Sequence, residues 1–540
     1  MKRKTIFSMF FLAFFLTASC AQQMTVRERE MKKYQEIDMS IVAGMPAPVV
    51  ETVEAYNNGD YSTAAMGFYA IKSNNEWSRL HETARYYYAE SLFRMGLYQA
   101  AEYELAEMLF RGPETHYFMS SLLKLLAVTY KTENQNVLFA VLANVDYSQL
   151  PDRFANELTY YLGKVNFYEG KDKDAVDFFS KVKDYSSHYP SATYFLGVLN
   201  VKMQKYAEAM KKFEEILNMP TDKYLGADIK KLKDMSELAM GQLYYAAAWK
   251  SENPLAMFNV SLNYFANVGS DNEQWFESLF ARTWASLMIS RFDATMGTIV
   301  TLRSPFFEDV YYPEINIVQA VTYYNLCQYE MVNRVVEDFF EIYPEYRDEV
   351  EKFIEDVSTK TGLEIYEEML LMNRDLSEGK EVEIPASILT TMLRDPLFKK
   401  QFNHIKEIER ELDLIKNSPD NFKNSSIAEE IEKKLRIQLA TLRNEAGRWL
   451  VNRMHKIKQD LTSLIAQMKG IQFEMTDQLK KQQRKEEMYG KEVSEQTEED
   501  EKISVFNPST PQDSYYYKFD GEYWKDELGY YFYSIENQCK

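Results

Sequence analysis

The sequence predicts an all-α protein, and three observations support this fold class. One residue pattern recurs after 34 residues between residues 158 and 217, at spacings that suit two antiparallel helices joined by a turn. A single apolar stripe then continues from about residue 426 to 489, as in a long coiled-coil-like helix. The last 38 residues, 503–540, carry eleven aromatic side chains and predict a small separate C-terminal segment.

The repeated pattern is a leucine-glycine pair, an alanine 12 residues after the glycine, and a phenylalanine four residues later. Glycine lets the second helix approach closely, alanine lies opposite, and phenylalanine fills the seam. The signature residues are Leu162, Gly163, Ala175 and Phe179 in one copy, and Leu196, Gly197, Ala209 and Phe213 in the other. This pattern resembles the tetratricopeptide (TPR) repeat. The resemblance implies a superhelical scaffold that holds a peptide or a helix in its groove, and it does not identify the partner.

The repeat array is expected to span residues 49–362, with roughly eight helical hairpins between residues 48 and 360. Between Leu122 and Tyr147 the helical periodicity continues without the signature residues, which indicates a degenerate repeat. Pro344 is interpreted as a repeat-ending proline. Cys327 is interpreted as a buried, unreactive thiol within the helical pattern.

The amino terminus has the layout of an export signal. Three basic residues, 2–4, precede the apolar run Ile6–Leu16, which is too short to span a bilayer as a stable anchor. Residues 17–20 then resemble a bacterial lipobox that ends in Cys20, although Leu16 stands four places before the cysteine and not three. This resemblance implies that residues 1–20 are the signal and that Cys20 is lipidated.

Ala21 after the cysteine implies delivery to the periplasmic side of an outer membrane. The alternative is ordinary cleavage after Ala21, which would leave a soluble periplasmic protein. In either case residues 21–48 are polar, contain breakers, and suit a tether before the folded part.

After the array, residues 363–417 are expected to be helical without repeating, and residues 418–489 to form the long helix. Apolar residues in this helix alternate steps of four and three, which is a heptad pattern. The seam includes Leu450, Ile457, Leu461, Leu464, Met468 and Ile471. Such a stripe needs a cover, and three alternatives remain open: a second copy in a homodimer, a partner's helix, or helices of the same chain such as Ile405–Ile415.

Residues 490–502 form an acidic linker, and the aromatic segment 503–540 follows it. So many rings need a surface to pack on, and the candidates are the chain's own repeat array and a partner in the envelope. We expect a small β-hairpin or capped turn around Asp520–Gly529 that docks on helical repeats of the same chain. Docking would bring Cys539 near the array, where it either pairs with Cys327 or stays a free thiol.

Composition and motifs argue against several function classes. The chain has 63 basic and 82 acidic residues and a net charge of −19, which disfavours nucleic acid and direct docking on anionic lipid. Membrane contact is therefore expected through the lipid anchor only. The five histidines are isolated, and no phosphate-binding loop, nucleophile elbow or zinc motif is present. We expect no catalytic, cofactor-binding or metal site, and no enzyme activity.

The function predicted is therefore that of an exported scaffold for protein-protein interactions with other envelope proteins. Residues 519–531, with Cys539 near the end, look similar to the ends of envelope TPR proteins of the adventurous gliding motility group. This resemblance implies a role in a motility or envelope-spanning complex. Two alternatives stay open: a factor of outer-membrane biogenesis and a regulator of cell-wall synthases.

Overall fold

The computed structural model describes residues 37–132, 134–144, 152–224, 227–489, 503–504, 519 and 521–539. The chain forms two compact units, one from Met1–Val165 and Lys406–Leu439, the other from Asn166–Ile405 and Ala440–Lys540. The predicted signal, the lipidation site Cys20, most of the tether and the whole acidic linker lie outside the described residues. Within the described ranges, no helix combines the length and the apolarity that a membrane span requires.

Sixteen α-helices follow one another as eight successive pairs in the described residues between 47 and 356. The bounds of the first eight helices are α1 (Ala47–Asn57), α2 (Tyr61–Ser73), α3 (His81–Arg94), α4 (Tyr98–Leu109), α5 (Phe118–Thr132), α6 (Asn136–Asn144), α7 (Asp152–Tyr168) and α8 (Asp172–Lys181). The next eight are α9 (Tyr189–Lys202), α10 (Tyr206–Leu217), α11 (Ile229–Ala248), α12 (Pro254–Asn267), α13 (Trp275–Met288), α14 (Phe292–Leu302), α15 (Glu314–Asn325) and α16 (Tyr329–Asp356). The predicted fold class, all-α and built from helix-turn-helix repeats, is confirmed.

The turn inside six of these pairs has one common geometry. A residue just after the first helix takes a positive φ, and the next N–H donates to the carbonyl five residues back, which is the Schellman ending of a helix. The residues with positive φ are Gly59, Gly96, Gly170, Gln204, Ser290 and Cys327. The matching bonds include Asp60 N to Ala55 O at 2.9 Å and Gln328 N to Tyr323 O at 3.0 Å. The repeats therefore share a backbone device even where their side chains differ.

Two predictions about single residues in the array are wrong. Pro344 does not end a repeat, because it lies inside α16, which runs without a break from Tyr329 to Asp356. Proline lacks only its own N–H, so the cost at that point is one lost helical hydrogen bond and local crowding. Cys327 is not a buried thiol: it occupies the left-handed turn position between α15 and α16 and is bonded to Cys539.

Five further helices follow the pairs: α17 (Gly362–Ser377), α18 (Ala386–Arg394), α19 (Pro396–Lys416), α20 (Asp420–Lys423) and α21 (Ser426–Tyr489). Thr361 opens α17 with a capping box to Glu364. The long helix α21 has 64 residues, and the hydroxyl of Ser425 accepts from Ala428 N at its start. In the second unit α17 and α21 meet at two glycines, since a methyl group at Gly447 would lie 2.7 Å from the Gly362 carbonyl carbon.

The C-terminal segment is described at residues 503–504, 519 and 521–539. Residues 525–529 form a turn, and one short strand, β2 (Phe532–Tyr533), follows it. β2 pairs antiparallel with β1 (Ile503–Ser504), with Ile503 opposite Tyr533. Of the two predicted forms, a turn is therefore present at residues 525–529, and the strand that follows it pairs with residues 503–504, which lie well before the predicted range 520–529.

Candidate functional site

One face of α14 in the second unit binds the C-terminal segment through residues spaced four apart. The backbone N–H of Gly529 donates to Thr301 Oγ1 over 3.0 Å, and the N–H of Ile535 donates to Asp293 Oδ1 over 3.1 Å. Gly297 lies between these two side chains on the helix surface. The segment thus runs antiparallel to α14, and we call the face formed by Asp293, Gly297 and Thr301 the α14 groove.

Gly297 allows the backbone of the segment to touch the helix. A methyl group at this position would lie 2.6 Å from the carbonyl carbon of Tyr531, closer still to its oxygen, and 3.0 Å from the Cα of Phe532. Any side chain there would displace the segment, because backbone atoms cannot rotate away as a flexible side chain can. The groove is therefore shaped for a peptide backbone.

Apolar side chains anchor the same segment on either side of the backbone contact. Leu528 and Tyr531 are buried and pack with Trp275 of α13 and Val300 of α14. The Tyr531 ring makes edge contacts with Phe519 and Tyr523 at centroid distances of 5.5 and 5.7 Å. Tyr533 joins the large cluster formed by α13–α16. The predicted docking on repeats of the same chain is therefore confirmed for Tyr531 and Tyr533, with Phe519 and Tyr523 packed beside them. Trp524 is exposed, and the aromatic residues at 506 and 515–517 lie outside the described residues.

The end of the segment is held at the turn between α15 and α16. Gln538 N donates to Leu326 O over 2.9 Å, and Gln328 Nε2 donates to Glu536 O over 2.6 Å. Cys539 is disulfide-bonded to Cys327, with their Cα atoms 5.0 Å apart. Cys539 is exposed and Cys327 is half-buried, so the bond lies at the surface of the unit.

The C-terminal half of α21 covers a second part of α13–α16. Leu464, Ile465, Met468 and Met475 belong to the cluster that also contains Leu279, Val318 and Phe339. Lys458 Nζ lies 2.6 Å from Glu351 Oε1 of α16. Of the predicted seam residues in this unit, Leu450, Ile457, Leu461, Leu464 and Met468 are buried, and Ile471 is partly buried. The chain itself covers this seam, which favours the intrachain alternative over a homodimer through α21.

In the first unit, the start of α21 packs on α2–α4. The Tyr69 hydroxyl of α2 donates to Glu430 Oε2 of α21 over 2.7 Å. Tyr88 and Leu92 of α3, with Ile431 and Leu435 of α21, line a small pocket between these helices. A repeat face that could hold a partner's helix thus holds a helix of the same chain.

Glu411 of α19 caps α4 in the same unit. The N–H groups of Gln99 and Ala100 donate to its Oε1 and Oε2 over 2.7 and 3.4 Å. The first N–H groups of a helix have no acceptors within the helix. Leu97, the residue before α4, has an apolar side chain that cannot accept a hydrogen bond from them. Arg410 Nη2 also donates to Gly96 O over 3.1 Å. The α3–α4 turn is therefore bound by α19.

A second carboxyl group is buried near this cap. Glu102 is 2% exposed, and its Oε1 has no hydrogen-bond partner. Burial, and after it the charge of Glu411, raises the pKa of Glu102 to about 8. Burial also raises the pKa of Glu411 to about 8, against the lowering effect of the two backbone N–H groups. Burial thus favours the neutral form of both carboxyl groups.

The repeat signature residues lie in the seams between helices. Leu162, Ala175, Phe179, Leu196, Ala209 and Phe213 are all buried. A methyl group at Gly197 would lie 2.6 Å from Phe213 Cε1, so this glycine admits the phenylalanine ring. Phe179 stacks on Phe195 at 5.0 Å. Gly163 lies in the last third of α7. These residues build the scaffold, and other residues make the contacts with the C-terminal segment and α21 described above.

Sequence reasoning missed the residues of the α14 groove and of the α4 cap. Asp293, Gly297 and Thr301 at positions i, i+4 and i+8 form a narrow small-residue stripe, which was the available signal. Glu411 lies in the charged run 406–411 and reads as part of a solvated face. Within the described residues, no group of three or more histidine, cysteine or acidic residues is arranged to hold a metal ion.

Comparisons with known proteins add little to this description. No protein-family model matches the chain, and no curated protein matches it. Among solved structures, the chain is similar to a circular tandem repeat protein with novel repeat topology and enhanced subunit contact surfaces. The identity is 10% over 81% of this chain and 89% of that chain, with a TM-score of 0.11. Similarity at this level carries no argument, so the fold class rests on the helices themselves.

Proposed function

We propose that this protein is an exported, lipid-anchored helical-repeat scaffold that binds other proteins in an envelope complex, and that it is not an enzyme. Helical-repeat arrays generally mediate protein interactions, because neighbouring repeats create extended surfaces. The finer identification as a TPR protein rests on the signature residues alone.

The observation that carries the proposal is the α14 groove with its bound segment. The groove meets an extended backbone at Gly297 and accepts its N–H groups at Thr301 and Asp293. The first unit in turn seats a helix on α2–α4. Repeats of this chain therefore have surfaces suited to both kinds of ligand that such scaffolds take, an extended peptide and an amphipathic helix.

The disulfide between Cys327 and Cys539 supports the export part of the proposal. Disulfides persist in oxidising compartments such as the periplasm and are rare where thiols are kept reduced. The basic and apolar start of the sequence points the same way. Both observations are independent of the lipobox resemblance, on which lipidation of Cys20 depends.

Export and anchoring are tested with a fatty-acid label in cells that make the full-length chain. We expect the label in the wild type and in Cys539→Ser, which retains Cys20, and no label in Cys20→Ser. Cys20→Ser should also leave the membrane fraction. A precursor of unchanged size, unlabelled in all three chains, would overturn the anchoring.

The partner class is tested by crosslinking whole envelopes and purifying the chain under denaturing conditions. The likeness of residues 519–531 to gliding-motility proteins makes motility components the first to look for. We expect envelope proteins to be enriched with the wild type relative to Cys20→Ser. Equal recovery of the same proteins by both chains would contradict an envelope scaffold.

A further inference from the structure

The α14 groove recognises its ligand mainly through the ligand's backbone. The N–H groups of Gly529, Ile535 and Gln538 and the carbonyl of Glu536 all bind to α14–α16 or to the turn between α15 and α16. Leu528, Tyr531 and Tyr533 supply the buried side chains. The backbone hydrogen bonds to α14 and to the turn between α15 and α16 thus all come from residues 529–538 of the segment, while β1, Phe519 and Tyr523 support its other side.

The disulfide at the end of the segment involves only Cys539 and Cys327 in the turn between α15 and α16. Cys539 is exposed, and Cys327 is half-buried in a turn, so both sulfur atoms can react without opening the apolar core. Cys539 Sγ also lies 3.4 Å from Asn325 O, so the chain end lies beside the turn. A C-terminal segment from another molecule would present the same thiol at the same place.

We propose that the α14 groove also takes the C-terminal segment of a second copy of this chain, and that Cys327 of one copy then bonds to Cys539 of the other. Two thiols give up two protons and two electrons, and a small-molecule disulfide accepts them and becomes two thiols. Where the intrachain bond already exists, a small thiol first opens it by exchange. This inference does not depend on export or on the lipid anchor.

The chain's own C-terminal segment competes with the segment of a second copy for the α14 groove. This competition determines the protein concentration at which exchange occurs. The intrachain segment has the advantage of a high effective concentration, so linked copies should increase with protein concentration and disappear on dilution under reducing conditions. The occupant is defined by the groove itself, because an identical segment is already bound in it.

The test uses two full-length chains, each with Cys20→Ser to remove the third thiol. One carries Cys539→Ser and retains Cys327, and the other carries Cys327→Ser and retains Cys539. In a mixture of reduced and oxidised glutathione, only an intermolecular bond can join Cys327 to Cys539. We expect a disulfide-linked heterodimer that forms at least about tenfold faster than the homodimers of either chain alone, since docking concentrates the two thiols.

Variants of the α14 groove distinguish a disulfide that forms after docking of the segment from one that forms by random collision. Asp293→Ala in the Cys539 chain removes the acceptor for Ile535 N in that chain's own groove, so its segment is released while the groove of the Cys327 chain is unchanged. The rate of heterodimer formation relative to homodimer formation by the Cys539 chain should therefore rise, and Asp293→Asn, which retains an acceptor oxygen, should leave it unchanged. Circular dichroism confirms that both variants fold. Heterodimers that form no faster than homodimers, or whose advantage over homodimers does not rise when the Cys539 chain carries Asp293→Ala, would overturn the proposal.

Discussion

The carbonyl group of Tyr531 lies directly against the Cα of Gly297, at the centre of one face of α14. This contact joins two residues 234 positions apart in the sequence. It is possible because glycine leaves the helix surface open, and it places the aromatic C-terminal segment where its apolar side chains become buried.

Gly297→Ala should destabilise the second unit. The added methyl group meets backbone atoms, and we expect a loss of about 1–3 kcal/mol in the free energy of unfolding. Gly470→Ala is the matched control, because Gly470 lies in the interior of α21 with nothing near its missing Cβ. There alanine should stabilise by roughly 0.5–1 kcal/mol. Urea unfolding followed by circular dichroism measures both, and equal effects of the two substitutions would contradict the contact.

Ala209→Leu should destabilise the repeat that carries it. Ala209 is fully buried in a cluster with Phe213 and Met240, so three extra carbons overpack the seam. We expect a loss of about 1–3 kcal/mol, measured in the same way. Unchanged stability would mean that α10 does not pack on its neighbours through this residue.

The pH dependence of stability should respond to Glu102. Its pKa is raised to about 8 in the folded chain from 4.5, so the folded state binds more protons between these values. This contribution to stability is therefore complete below about pH 4.5 and is lost as the pH rises through 8. Glu102→Gln cannot ionise, and its stability relative to the wild type should increase steadily from pH 5 to pH 8.5. A constant difference over this range would show that Glu102 is not buried as described.

Removal of the disulfide should weaken the attachment of the C-terminal segment without abolishing it. Cys539→Ser loses a bond that closes a long loop, for which the cost is typically about 2–5 kcal/mol. Limited proteolysis is expected to cut the linker 490–502. The fragment should remain with the body in the wild type without reductant, and also in Cys539→Ser at high protein concentration. Complete separation in Cys539→Ser would show that the noncovalent contacts contribute little.

Local patterns in the sequence predicted much of this fold. The spacing from Gly197 to Phe213 predicted a helical seam because both residues belong to one hairpin, and the heptad steps predicted the 64-residue helix α21. Aromatic density predicted that the C-terminal segment docks on the repeats. These features depend on neighbours in the sequence or on composition.

Long-range contacts could not be predicted in this way. In the sequence alone, Gly297 is a residue of low helix propensity within a helix. Its contact with the backbone of Tyr531 exists only in the folded chain. In the sequence alone, Glu411 resembles a solvated residue. In the folded chain it accepts hydrogen bonds from two N–H groups at the start of α4. Pro344 was predicted to end a repeat because a proline often follows one, whereas α16 contains it within 28 residues of continuous helix.

Hydrogen exchange of the full-length oxidised chain, followed by mass spectrometry, tests the central claim most directly. The amides of Gly529, Ile535 and Gln538 donate to the repeats, so peptides covering 525–539 should exchange slowly in the wild type. In Gly297→Leu the same peptides should exchange much faster, while those from α9–α10 stay unchanged, and Gly470→Ala should match the wild type. Exchange of residues 525–539 at the rate of an unstructured chain in the wild type would contradict a seated segment and, with it, the α14 groove.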